Sequence, residues 1–184
     1  MDVVVALHAA AALLLMVAGL AKVLRPVPTA ELLASVGLPE VPAAVAAMGV
    51  VESVVGVLAL VVGGPLLAAA TGTLYVGFIV VVGRALATGA ESCGCFGRVD
   101  SPPSWIHVVG NAVFAVASFV AAAGRTPAQV MAEGPAFGIG FVLAAGVLAG
   151  LALVAFTAVP EALAARGVSS PQASVRINNE RRSR

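Results

Sequence analysis

The chain has 184 residues, of which 60% are hydrophobic and 10% charged, with a formal net charge of +1. Soluble domains run near half apolar and a quarter charged, so a water-soluble fold of this length has no means of covering so much apolar side chain. That class is excluded, and an integral membrane protein in a lipid bilayer is predicted. The charges are unevenly spread: "RGVSSPQASVRINNERRSR", residues 166–184, carries Arg166, Arg176, Arg181, Arg182 and Arg184 against Glu180. A basic segment can bind nucleic acid, but after an apolar block it reads as a disordered cytoplasmic tail that fixes orientation. No nucleic-acid partner is expected.

A spanning helix needs about 20 predominantly apolar residues, and five stretches qualify. The first runs from about Val3 to Leu24 and stops at "AKVLRP", where Pro26 and Pro28 make helix continuation costly. It begins Met1-Asp2 without a basic lead, so it is expected to be retained as a span and not cleaved as a signal peptide. A short amphipathic piece follows in "TAELLASVGLPEVP", with Thr29 as its expected cap and Gly37 as its expected end. The second span covers about Ala43 to Val62. The turn "GGP" is so short that the third span, about Leu66 to Thr88, is expected to return beside it as an antiparallel hairpin. A cysteine loop at 89–103 precedes the fourth span, about Trp105 to Ala123. "GRTPAQVMAEGP" leads to the fifth, about Ala136 to Val159, ended by Pro160. The expected fold is all-α, a multi-pass transmembrane helical bundle. It divides into a core at 1–124, a fifth helix at 125–160 and a basic tail at 161–184.

Small residues spaced four apart, as in "GVLAG" at Gly146 to Gly150, let helix backbones approach closely in lipid. Tight packing is therefore expected, though no particular dimer. Counting crossings puts the loop after the first span, the cysteine loop and the tail on one side. That side holds Lys22, Arg25, Arg84, Arg98 and the five tail arginines, against Arg125 on the other. The positive-inside rule then places the N-terminus outside and the cysteine loop and tail in the cytoplasm.

The two cysteines of the chain, Cys93 and Cys95, stand in "ESCGCFGRVD". Residues two apart can reach the Cα separation a disulfide needs, with Gly94 relieving backbone conflict. Such a ring closes almost no loop and so is a poor staple. Strained disulfides exchange readily, and Lys22, Arg84, Arg98 and His107 are expected near this membrane face, where positive charge favours the thiolate. Redox activity, half of a metal site and inert loop residues all remain open, although one chain lacks four soft ligands for a metal.

Glu52, in "GVVESVVG", is ionisable at mid-span and must face the bundle interior. His8, Asn111 and Lys22 are its candidate partners. His107 and Asn111 lie four apart and so share one face of the fourth helix. His107 could exchange a proton with the thiols or simply be an interfacial residue. Trp105 fits the aromatic belt, and Tyr75 is expected to pack.

"AGLAKVLRPVPTAELLASVGLP", the glutamate of "VVESVVGVLAL", "CGCFG" and "SWIHVVGN", in that order, resemble the methylamine utilisation protein MauE family, related to DoxX-like membrane proteins. The resemblance covers about residues 10–123. The chain departs from it at Gly110, where members often carry a basic residue. The resemblance implies a four-helix membrane core that partners a thioredoxin-like protein and helps form or transfer disulfides during maturation of an amine-metabolising enzyme. By position it implies Cys93 and Cys95 as the redox pair, with Lys22, Glu52 and Asn111 as motif residues. Such clients are exported, whereas the charge count puts the cysteines inside. The leading expectation is a thiol–disulfide oxidoreductase or accessory subunit without a bound cofactor. The alternative is a small transporter or structural bundle using Glu52. A quinone-coupled variant is a third possibility, for which no binding side chains stand out in the sequence.

Overall fold

The structure is a computed structural model and describes residues 3–90 and 103–165. These form seven helices: α1 (Val3–Leu24), α2 (Val27–Ser35), α3 (Pro42–Val61), α4 (Pro65–Thr88), α5 (Trp105–Ala121), α6 (Pro127–Met131) and α7 (Pro135–Ala165). Prolines open α3, α4, α6 and α7. At that position the missing N–H costs nothing and the fixed φ already suits a helix. Four helices, α1, α3, α4 and α7, are long and apolar enough to cross a membrane, while α5 is apolar but has 17 residues. At 1.5 Å per residue α5 reaches roughly 25 Å, near the lower limit for a span.

Helix α1 is the centre. Its run Ala9 to Ala12 is fully buried, and the small side chains let α3, α5 and α7 pack around it. A helix apolar on every side must be surrounded, by protein or by lipid; α1 takes the first course. Helix α7 takes the second, with most of its apolar side chains facing outward.

The closest helix contact is α1 on α3. A Cβ added to Gly19 would sit 2.5 Å from the Gly49 carbonyl oxygen, and one on Gly56 would sit 2.6 Å from that of Ala12. Ser53 shares this face and donates to the Gly49 carbonyl at 2.9 Å. Tight packing is thus present, but away from "GVLAG": Gly146 and Gly150 have nothing within 4 Å of an added Cβ. The "GGP" turn does bring α4 back, with Gly63 and Gly64 at positive φ. Yet α3 packs most closely on α1, and α4 on α5.

Three sequence expectations need correction. Thr29 does not cap α2, which begins at Val27 with Pro28 in its first turn; Thr29 is buried inside the helix. The helix ends as expected, with Gly37 at φ 86°. There Leu38 N–H bonds the Leu33 carbonyl and Gly37 N–H that of Ala34, a Schellman arrangement. The lead to α7 contains a helix of its own, α6, capped reciprocally by Thr126 and Gln129. Finally, Pro160 does not end α7, which continues through it to Ala165. Helix α7 also contributes Phe156 to the aromatic core beside Tyr75 and Phe114, and Phe141 and Ala145 to a second cluster with Val5 and Ala9.

Candidate functional site

Several interior polar groups, among them Lys22, His107 and Asn111, lie toward the end of the bundle where α1 and α4 finish and α5 begins. Lys22 stands in the last turn of α1. Its position is fixed by the close glycine contact of α1 with α3, since a Cβ on Gly49 would lie 2.9 Å from Lys22 Cβ. Glu52, three residues on from Gly49, lies on the same face of α3, and Lys22 Nζ donates to Glu52 Oε2 at 2.8 Å. Both side chains are buried, Glu52 completely. Of the three candidate partners for Glu52, Lys22 is the one. Each charge compensates the other, the condition under which a bundle tolerates ions away from water. Glu52 Oε1 makes no hydrogen bond among the described residues. The Lys22 ammonium also lies 5.1 Å from the centroid of the Phe78 ring.

The other two candidates have different places. His8 Nδ1 lies 3.0 Å from Ser118 Oγ, tying α1 to α5. His107 and Asn111 do share one face of α5, as their spacing requires, and both are buried. His107 Nδ1 meets Ser104 Oγ at 2.9 Å, and the imidazole stacks on Phe156 with centroids 5.3 Å apart. The Phe156 backbone also hydrogen-bonds this ring. The reason lies four residues on. Pro160 has no N–H to give to the Phe156 carbonyl, and the imidazole donates to the carbonyl that proline leaves open. Gly110 makes room for the arrangement, because a Cβ there would collide with the Phe156 ring.

Between α1, α2, α4 and α5 lies a cavity of about 220 Å³. Lys22, Thr29, Tyr75, His107 and Asn111 border it among mostly apolar neighbours, with Phe78 and Phe156. Tyr75 has spent its hydroxyl, which donates to the Ala11 carbonyl at 2.8 Å. Arg84 stands apart, exposed on α4. Trp105 is exposed at the start of α5, consistent with a belt position. Cys93, Cys95 and Arg98 lie outside the described residues. Among the described residues no cluster of three or more potential metal-ligating His, Cys, Asp or Glu occurs.

Sequence reasoning missed Ser118, Phe156 and Gly77, which lines the cavity on α4. The four-residue spacing of Phe156 and Pro160 was a usable signal: it announces a carbonyl that some other helix must satisfy.

Apolar helices arranged around a buried Lys–Glu pair define a multi-pass integral membrane bundle. The chain matches the family described as methylamine utilisation protein MauE over residues 2–124. It therefore belongs to the MauE family. No curated protein matches it, and no solved structure does.

Proposed function

We propose that this MauE-type membrane protein supports thiol–disulfide exchange with a thioredoxin-like partner, using Cys93 and Cys95. The observation that carries the reading is the pair itself: the chain's two sulfurs, one glycine apart, in a family whose name ties it to amine metabolism. A structural circumstance supports it. The helices that enter and leave the cysteine segment, α4 and α5, pack on each other. The first turns of α5 carry His107 and Asn111, which border the same cavity as Lys22.

In the exchange a thiolate of one cysteine attacks a sulfur of the partner's disulfide, forming a mixed disulfide and releasing a partner thiolate, which takes up a proton. The neighbouring cysteine, once deprotonated, attacks the mixed disulfide. The pair becomes a disulfide and the partner leaves as a dithiol, two electrons richer. His107 is the histidine nearest to the pair in sequence and could relay those protons. Its engagement with Ser104 and Phe156 equally suits a role in holding α5 in place.

By the charge count the loop faces the cytoplasm, so the partner would be cytosolic. Maturation of an exported amine-oxidising enzyme would require the opposite side. Labelling intact cells with a membrane-impermeant thiol reagent, with and without prior reduction, reads out both side and oxidation state.

The decisive experiment replaces each cysteine by serine separately. One of the two variants should accumulate a mixed disulfide with a thioredoxin-like protein, visible on a non-reducing gel and lost on reduction. If neither variant traps a partner and cells carrying both substitutions behave as wild type, the thiols are incidental. The second reading then takes over, a transporter or structural bundle built on Glu52, favoured by the unpartnered Oε1 of that side chain among the described residues. It expects Glu52→Gln to abolish function with both cysteines intact.

A further inference from the structure

The cavity beside Lys22 has a more specific chemistry than its apolar walls suggest. Asn111 is 6% exposed and borders it, and its carboxamide is not engaged by a hydrogen bond to another described residue. Its two N–H donors are on offer at the cavity wall. Lys22 adds further N–H donors, since an ammonium carries three and Glu52 takes one.

The charge of Lys22 is meanwhile compensated by Glu52, and Glu52 itself does not border the cavity. A phosphate or carboxylate headgroup therefore finds no uncompensated cation, and an amine finds no carboxylate. What suits the site is a neutral ligand bearing carbonyl acceptors. The rings of Tyr75, Phe78 and Phe156 border it and favour a planar, aromatic-like body. A cavity of about 150 Å³ holds benzene, so about 220 Å³ takes one substituted ring or two fused ones. On the α4 side the lining residues Thr73 and Gly77 are exposed. An added Cβ at Gly77 would meet nothing within 4 Å, which leaves a way out toward lipid for an attached chain.

We propose that this cavity binds the headgroup of a lipid-soluble quinone. A ring carbonyl accepts from the Asn111 amide with Lys22 close by, and the isoprenoid chain leaves past Thr73 and Gly77. Binding of this kind needs the cavity alone and does not depend on thiol chemistry at Cys93 and Cys95.

The test uses the full chain in nanodiscs, titrated calorimetrically with decylubiquinone, a one-ring probe, and menadione, a two-ring probe. At least one should bind saturably at one per chain. Asn111→Leu should weaken that binding about tenfold through the lost hydrogen bond. Gly77→Leu, at the exposed opening where an added Cβ meets nothing within 4 Å, should block entry and abolish binding at unchanged thermal stability. Replacing both cysteines by serine should leave binding as in wild type, so failure of the thiol reading and failure of this one are separable. The proposal is overturned if neither probe binds saturably. It is overturned equally if Gly77→Leu folds and binds as before, or if palmitate competes at the same affinity, which would make the cavity an acyl-chain slot. Should Asn111→Leu fail to fold, Gly77→Leu carries the test alone.

Discussion

Helices α3 and α7 are both apolar and both rich in glycine, yet they use those glycines in opposite ways. On α3, Gly49 and Gly56 press against backbone of α1. On α7, a Cβ added to Gly140, Gly146 or Gly150 would meet nothing within 4 Å among the described residues. The difference is the company they keep. Gly49, Glu52, Ser53 and Gly56 share one helix face, and the carboxylate on that face has to be buried against a cation. The glycines bring the backbones close enough for Lys22 to arrive. Helix α7 carries no charge before Pro160, so nothing obliges its small residues to face inward. Small-residue spacing therefore permits contact, and a buried charge on the same face selects where contact occurs.

The comparison can be broken most forcefully at the ion pair. Lys22→Met should destabilise the protein by about 3–5 kcal/mol, the usual cost of leaving one member of a buried pair alone. Lys22→Met with Glu52→Leu should recover most of that loss in thermal unfolding in detergent. A double variant as unstable as the single one would mean that the two charges do not act together. Next comes the glycine contact. Gly49→Val forces the α1 and α3 backbones apart and should cost about 2–3 kcal/mol by overpacking, measured in the same way. Away from that face, Ser118→Ala leaves His8 without its partner and should cost about 1–2 kcal/mol. At the small end, Gly146→Ala and Gly150→Ala should be neutral or stabilise by about 0.5–1 kcal/mol, since alanine is the better helix former. A loss of stability there would mean that α7 has a partner on that face.

Much of the fold could be read from hydropathy and prolines: α1 has the expected bounds, and α3, α4 and α5 begin within a residue of theirs. What failed were inferences that treated a residue by its local habit. Thr29 has the chemistry of a cap, but Pro26 and Pro28 start the helix earlier. Pro160 has the chemistry of a terminator, but a terminator acts through the carbonyl it orphans, and His107 takes that carbonyl up from another helix. The pairing of Lys22 with Glu52 was one of three sequence candidates. Choosing among them required knowing that α1 and α3 touch at Gly19 and Gly49, which no periodicity within one helix can state. Asn111 was legible as a residue on the His107 face, but its lack of a partner among the described residues appears only once its neighbours are placed.

The contact between His107 and the Phe156 backbone crosses the limit of the family match at residue 124. The imidazole belongs to the matched portion and the carbonyl to α7, beyond it. The two parts are sewn together by a defect, a proline whose missing donor is supplied from elsewhere. A version of the chain shortened to its first 124 residues would lose that stitch, the ring stacked on His107 and one wall of the quinone cavity at a stroke. It should come out of the membrane as aggregate, not as a smaller working unit.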